Sequence, residues 1–275
     1  MIDAISELAN ALGYEFFRNA LLAGILASTA CGIIGSFVVI KRMVSLTGGI
    51  SHAAFGGVGL GYFLGFSPIL GATLFCVATA AVIAKLRHVA HQHLDTLVGA
   101  IWAAGMAIGI LLVYLTPGFA PDLYGYLFGN ILLVPAGEIV FMGALLAAII
   151  AITAIFYNQL LAVTFDEEYA SVMNIASEKI IALLLIMTAV TIVMLIQVVG
   201  IILTIALLTL PAAIAREFTG RLDRMFYLST ILGIAFTTCG IFLSYTLDVP
   251  SGATIILIGA AAYIVALCAK TLCIR

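Results

Sequence analysis

The chain has 275 residues, of which 64% are hydrophobic and only 9% are charged, with a formal net charge of −2. A soluble domain is typically about 45–50% apolar and about 25% charged, so a water-soluble core could not hide this much apolar surface. The composition therefore predicts an integral membrane protein whose main partner is the lipid bilayer, and it does not favour nucleic acid as a partner.

A membrane-spanning helix needs about 20 mostly apolar residues. Nine such runs follow one another: 17–40, 50–66, 68–86, 97–116, 127–156, 179–198, 200–215, 225–246 and 252–270. The apolar stretch from 179 to 215 is too long for one helix and is expected to turn near Val199 and Gly200. The predicted fold is therefore all-α, a single polytopic domain over residues 1–275 with nine spans, or eight if two runs merge.

The positions of the charged residues predict the orientation of the spans. With nine spans and the N-terminus outside, the basic clusters all fall on the cytoplasmic side, as the positive-inside rule requires. These clusters are Lys41 with Arg42, Lys85 with Arg87, Arg216 with Arg221 and Arg224, and Lys270 with Arg275. The loops at 117–126 and 248–252 hold Asp122 and Asp248 and no basic residue, while Arg18 is an exception. The C-terminus is then cytoplasmic.

The N-terminal segment carries Asp3, Glu7 and Glu15 without an early basic cluster, which does not resemble a secretory signal peptide. The sequence has no GxxxxGK[ST] phosphate loop, no GxGxxG after a strand and no HExxH motif. An intramembrane metalloprotease is therefore disfavoured. The energy for any transport has to come from an ion gradient or from another polypeptide.

The longest polar interruption is the segment 157–178, YNQLLAVTFDEEYASVMNIASE. Asp166, Glu167 and Glu168 stand at the start of a short helical pattern, where carboxylates favour the positive end of a helix. The pattern predicts a short amphipathic helix in a cytoplasmic loop. Its function is either docking of a partner or simple connection of two spans.

The segment 45–65, SLTGGISHAAFGGVGLGYFLG, repeats small residues at every fourth position. These residues share one helix face and allow another backbone to approach closely; they are Gly49, Ala53, Gly57 and Gly61. His52 lies on another face, with Gly48 one turn before it and Gly56 one turn after it. An ionisable side chain in a span tends to face the protein interior or a water-filled path. His52 is therefore either a transient metal ligand or a hydrogen-bonded packing residue.

Three other features could have a function. Pro211 interrupts the apolar run LLTLPAAIAREF, where it is expected to kink the helix either for gating or for static packing. Asp122 and Asp248 border the predicted outer loops and either cap helices or contact an extracellular partner. His88, His91 and His93 are interpreted as part of a solvated basic loop on the cytoplasmic side, with weak metal chaperoning as the alternative.

Taken in order, several segments resemble the membrane permeases of zinc, manganese and iron ABC importers. They are GSFVVIKRMVSLTGGISHAAFGGVGLG (35–61), DTLVGAIWAAGMAIGILLV (95–113), DLYGYLFGNILLV (122–134), TFDEEYASVMNI (164–175), VVGIILTIALLTLPAAIAREF (198–218) and LDVPSGATIIL (247–257). The order and spacing of these segments extend the resemblance over nearly the whole chain.

The resemblance implies a transport subunit, not an enzyme, in the inner membrane of a prokaryote. Two permeases, expected here as a homodimer, form the channel above two ATPase subunits that hold the ATP. An extracellular metal-binding protein delivers the ion, and no cofactor stays bound to the permease. The short helix within 164–176 would be the coupling helix, with the residues Phe165, Asp166, Glu167, Glu168 and Tyr169 at the ATPase contact.

His52 matches the histidine of the family pattern G-D-x-[LI]-[SA]-H, but this chain has Gly48 where relatives have the aspartate. Relatives also often have an aspartate at the position of Asn130. Fewer carboxylates favour zinc, which accepts nitrogen ligands well, over manganese or iron, which remain alternatives. A proton-coupled secondary transporter is a further alternative, although it would need more ionisable residues at the middle of the membrane.

Overall fold

The computed structural model describes residues 12–87, 93–117 and 123–273, and within these ranges the chain forms helices and no strand. The helices, which confirm the all-α prediction, are α1 (Glu15–Ile40), α2 (Val44–Leu64), α3 (Pro68–Leu86), α4 (Leu94–Leu115), α5 (Leu123–Phe128), α6 (Ala136–Ile155), α7 (Tyr157–Phe165), α8 (Glu167–Val172), α9 (Ser177–Phe218), α10 (Leu222–Leu247) and α11 (Ser251–Cys273). A short 3₁₀ turn, Ile131–Leu133, lies between α5 and α6.

Seven helical segments of the described chain are long and apolar enough to cross a membrane. They are α1, α3, α4, α6, the first part of α9 (Ser177–Ile196), α10 and α11. The spans expected at 50–66 and 200–215 coincide with α2 and with the later part of α9, which are helical but not among these seven. The total of eight or nine spans and the orientation of the termini stay predictions.

The predicted span at 127–156 was wrong at its start. The chain instead ends α5 at Phe128, turns at Gly129 with a φ of 68°, forms the 3₁₀ turn and enters α6 at Ala136. The turn at Gly129 needs a positive φ, which glycine adopts without steric cost. Pro135 comes directly before α6, and its fixed φ suits the start of a helix. Apolar composition alone could not reveal this turn.

The expected turn within 179–215 is confirmed at Gly200, whose backbone angles (φ 78°, ψ 172°) interrupt α9. Gly200 lies against Gly129 so closely that a Cβ built on Gly200 would be 2.4 Å from the backbone nitrogen of Gly129. Only two glycines can meet at this distance, and both need positive φ. Pro211 lies inside the helical segment that follows the break.

Residues 12–36, 125–147 and 195–273 form one compact unit. In this unit α1 runs antiparallel to α10, with Phe17 packed on Phe242 and Ser28 hydrogen-bonded to Thr237 at 3.2 Å. A further apolar cluster joins Ile214 and Phe236. The small residues of α1 and the hydroxyls of α10 allow the two helices to approach closely.

The second compact unit comprises 37–124 and 148–194, with the gaps given above. Here α2 packs between α3 and α4. Gly57 faces Gly71 of α3, where an added Cβ would lie 2.2 Å from the carbonyl oxygen of Gly71. The glycine content of α2 thus explains how one helix lies within backbone contact of two neighbours.

Candidate metal path and loop helix

His52 lies on α2 with its side chain almost fully buried, at 7% relative exposure. Its Nδ1 atom has no hydrogen-bond partner among the described residues. An unsatisfied buried polar atom costs about 1–3 kcal/mol, so a ligand or donor that bound Nδ1 would offset this cost. Gly48, one turn before His52, is also buried and contributes no side chain of its own beside the imidazole.

The imidazole of His52 stacks on the indole of Trp102 from α4. The ring centroids are 4.0 Å apart and the planes differ by 7°. Trp102 is itself partly exposed, so the indole has one face on the histidine and part of its surface open. The stack fixes the plane of the imidazole without using either ring nitrogen.

The seam between α2 and α4 explains why these two rings meet. The helices run parallel, and Gly49 lies against Val98, Ala53 against Gly105, and Gly59 against Gly109. A Cβ on Gly105 would be only 2.6 Å from the Cα of Ala53, so a larger residue would separate the helices. This backbone contact on both sides of His52 positions the stack.

The predicted stripe of small residues therefore faces two helices instead of one. Gly49 and Ala53 lie against α4, whereas Gly57 and Gly61 lie against Gly71 and Pro68 of α3. Along α2 the neighbour of the stripe thus changes from α4 in its first half to α3 in its second half. The gating role expected for these residues and for Pro211 stays a prediction.

A carboxylate lies on the same seam between α2 and α4, near the N-terminal ends of both helices. Ser45 of α2 donates a hydrogen bond to Asp95 of α4 at 3.1 Å. Ser45 precedes His52 by seven positions on α2, and Asp95 precedes Trp102 by seven positions on α4. Seven positions are about two helical turns or about 10 Å. Asp95 is therefore paired with Ser45 and not with His52 in this structure. The described residues contain no cluster of three or more His, Cys, Asp or Glu side chains that could hold a metal ion.

The segment predicted as one helix over 164–176 divides at Asp166. Phe165 ends α7, and α8 begins at Glu167. The Asp166 side chain caps α8, because its Oδ1 accepts hydrogen bonds from the backbone nitrogens of Glu168 at 3.0 Å and Tyr169 at 2.9 Å. The acidic start of the short helix is as the sequence indicates, but its length is only six residues.

Glu167 of α8 pairs with one residue from each of two basic clusters identified in the sequence. Its carboxylate pairs with both Lys41 and Arg87. Lys41 also donates a hydrogen bond to the carbonyl of Val163 at 2.7 Å. Burial raises the pKa of Glu167, but the hydrogen bonds and positive charges of the two bases outweigh it and hold the pKa below its usual value. We call Glu167, Lys41 and Arg87 the basic clamp.

Large apolar side chains on and beside α8 are exposed. Tyr169 is 58% exposed and Val172 is 81% exposed, and Phe165 and Met173 are exposed as well. Ala170, on the opposite side of the helix, is fully buried. The loop helix is thus attached to the chain by the basic clamp and by Ala170, and it presents an apolar edge outwards.

Of the two aspartates predicted at the outer loops, Asp122 lies outside the described residues. Asp248 ends α10 in the left-handed conformation, with a φ of 53°. It lines a cavity of about 460 Å³ together with Asn130 and Ser251. The Asn130 side chain accepts a hydrogen bond from the backbone nitrogen of Leu132, and the Ser251 hydroxyl has no described partner. Asp248 is therefore part of a polar pocket and not an isolated cap.

Sequence reasoning missed Trp102 and the pairing within the basic clamp. Trp102 is the only tryptophan of the chain, and that rarity was the one available signal. Lys41 and Arg87 were noted for topology alone, because nothing in a sequence shows that residues so far apart share a carboxylate. Asp95 was missed because its partner Ser45 is an unremarkable residue at the start of α2.

Seven helical segments of the described chain are thus long and apolar enough to cross a membrane, and the buried His52 of α2 has an Nδ1 atom without a described hydrogen-bond partner. The sequence profile of the ABC 3 transport family matches residues 13–270. The chain therefore belongs to the ABC 3 transport family, which confirms the resemblance to metal ABC permeases as its class.

Individual relatives agree with this assignment. The chain is 43% identical over 266 residues to an uncharacterized membrane protein of Synechocystis, covering 97% of this chain and 95% of the relative. It is 33% identical to the manganese transport system membrane protein MntC of Halalkalibacterium halodurans, covering 93% and 87%. Among solved structures, PsaBC from Streptococcus pneumoniae in complex with a Fab matches with a TM-score of 0.86, at 31% identity and 95% coverage of both chains.

Proposed function

We propose that this chain is the membrane permease of an ATP-driven importer that moves a divalent transition-metal ion into a prokaryotic cytoplasm across the inner membrane. The observation that carries the proposal is His52, buried in α2 with an unpartnered Nδ1. An imidazole nitrogen without a protein partner is a suitable transient ligand for such an ion. Weak ligation suits transport, because tight binding would prevent release.

In this proposal, α8 is the coupling helix that enters a groove on a separate ATPase subunit. Its exposed apolar edge provides the docking surface. The basic clamp transmits movement of α8 to α2, because Lys41 precedes α2 by only a few residues. His52 lies on α2 and would move with it. ATP binding would therefore reorient the helix that contains the metal ligand, which is alternating access.

The remaining partners follow from the same proposal. A second, identical permease completes the channel, and an extracytoplasmic protein delivers the metal. Asp248, and Asp122 outside the described residues, would contact that protein. The pocket around Asp248 supports this role, because an exposed carboxylate in a polar cavity offers a recognition point for a basic side chain.

Two ions have specific support as cargo. The MntC relative is named for manganese. Zinc is favoured by the ligands of this chain, because His52 supplies nitrogen and Gly48 removes the carboxylate that an oxygen-preferring ion would use. Iron is a third candidate with the same fold.

A proton-coupled secondary transporter has less support. It shares the lack of a phosphate loop, but family membership favours ATP as the energy source. The two mechanisms differ in what drives uptake, and the test below separates them.

The test is uptake into proteoliposomes that contain this chain, the ATPase and the metal-binding protein of its source organism. Accumulation of zinc, manganese or iron that requires ATP on the side of the membrane where the ATPase is bound, and that persists without a proton gradient, would support the proposal. Competition between the three ions would then identify the cargo. Uptake that follows a proton gradient and ignores ATP would contradict it.

A further inference from the structure

We infer that Trp102 positions His52 for its metal ion and stabilises the metal-bound imidazole, taking over part of the role of the carboxylate absent at Gly48. The inference rests on the proposed function of His52. It concerns a second residue, which contacts the ligand side chain and not the ion.

An imidazole that ligates a metal is normally held by a hydrogen bond from its other nitrogen to a carboxylate or carbonyl. His52 has no such partner on Nδ1 among the described residues. The parallel stack at 4.0 Å on Trp102 is the contact that defines its ring plane. Because the stack lies on the ring face, it leaves the nitrogens at the ring edge for a ligand.

A divalent ion bound to an imidazole draws electron density from the ring and gives it cationic character. The face of an indole attracts cations within about 6 Å of its centroid, and tryptophan is the best of the aromatic residues at this. The stack is well inside that distance. Trp102 therefore favours metal-bound His52 over the empty side chain.

A carboxylate would bind the ion directly and add a full negative charge, whereas an indole face acts only through the histidine. Ligation in this chain is therefore weaker than with an aspartate at Gly48. The backbone contacts of Gly105 with Ala53 fix the two helices, so the stack does not depend on a flexible connection.

The sole tryptophan of the chain makes the inference directly measurable. The full chain is placed in lipid nanodiscs without its partners, and its tryptophan emission is followed during titration with zinc or manganese chloride. Binding at His52 changes the charge of a ring in contact with the indole, so the emission should change saturably. The His52→Ala variant should lose this response, whereas His93→Ala, an exposed histidine before α4, should keep it.

Affinity is measured separately by equilibrium dialysis with the radioactive ion, since it does not require tryptophan. Trp102→Leu should bind the ion roughly three- to thirtyfold more weakly than the wild type, with Trp102→Phe in between. Tyr114→Leu, at an 85% exposed aromatic residue of the same helix, is the matched control and should bind normally. The graded Phe variant, which keeps an aromatic ring, guards against a general folding defect.

The outcomes separate the inference from the function on which it rests. If His52→Ala loses binding but Trp102→Leu binds as tightly as the wild type, the role of Trp102 is wrong and that of His52 stands. If His52→Ala binds as tightly as the wild type, the proposed ligand itself is wrong. A saturable response that requires His52, together with weaker binding in Trp102→Leu, supports both.

Discussion

Glu167 of the short loop helix pairs with Lys41, which lies between α1 and α2. Arg87, at the end of α3, pairs with the same carboxylate. Two bases that are both largely buried thus share one acid, and removal of the acid would leave two cations close together without compensation. The pairing connects the surface proposed for the ATPase to the start of the helix that holds His52.

Glu167→Gln is expected to weaken this connection. The variant should unfold about 2–4 °C lower, which corresponds to about 1 kcal/mol for a chain of this size. Stimulation of the ATPase by the metal-binding protein should fall severalfold, because α8 can then move without α2. Glu15→Gln, at an exposed acid at the start of α1 and away from α8, is the control. Equal stimulation in both variants would contradict a role of the clamp in coupling.

The clamp also predicts a pH dependence. Since the pKa of folded Glu167 is below its usual value, its contribution to stability is fully present above the pKa of an unfolded glutamate, about 4.3. The contribution is lost as the pH falls through the lower pKa of the folded state. The difference in unfolding temperature between wild type and Glu167→Gln should be constant from about pH 6 to 8 and shrink below about pH 4. If this difference in unfolding temperature grew as the pH fell, the pKa of Glu167 would be raised in the folded state and the prediction would be wrong.

The all-α fold was predictable because long apolar runs are typical of helices that lie in lipid. The break at Gly200 followed from length alone, since no single span is as long as 179–215. The short helix α5 and the turn at Gly129 were not predictable, because both are apolar and lie within a run that could have continued as one helix. The turn packs against Gly200, a contact that forms only in the folded chain.

Gly200→Ala tests this contact. A Cβ at Gly200 would lie 2.5 Å from the carbonyl oxygen of Leu127, and φ is positive. The variant should lose about 2 kcal/mol or more of stability. Gly143→Ala of α6 is the matched control, because a Cβ there meets nothing within 4 Å. Thermal unfolding in detergent compares the two, and similar unfolding temperatures would argue against the close approach of Gly129 and Gly200.

The candidate site was predictable only in part. His52 was visible because a histidine in an apolar run is rare. Its partner Trp102 was not, because aromatic residues are ordinary in membrane helices and the register of α2 on α4 depends on glycine contacts that form only in the folded chain. The division of the loop at Asp166 was likewise hidden, since a continuous helix and two capped helices have similar sequences.

Asp248→Asn is expected to slow association with the metal-binding protein. Asparagine tolerates the left-handed conformation of this position, so the substitution changes charge with little strain. The association rate should fall about threefold at low salt and be nearly unchanged at high salt, where surface charges are screened. Biolayer interferometry on nanodiscs measures this, with Glu15→Gln as control. A rate that falls equally in the control would show a general charge effect instead.

The most direct test of the account is ATP-driven metal uptake by His52→Ala in proteoliposomes with the ATPase and the metal-binding protein. His93→Ala is the control, because it removes an exposed histidine outside the seam between α2 and α4. His52→Ala should lower the rate of zinc or manganese uptake by roughly tenfold or more, with normal uptake by His93→Ala. Uptake by His52→Ala at the wild-type rate would contradict it.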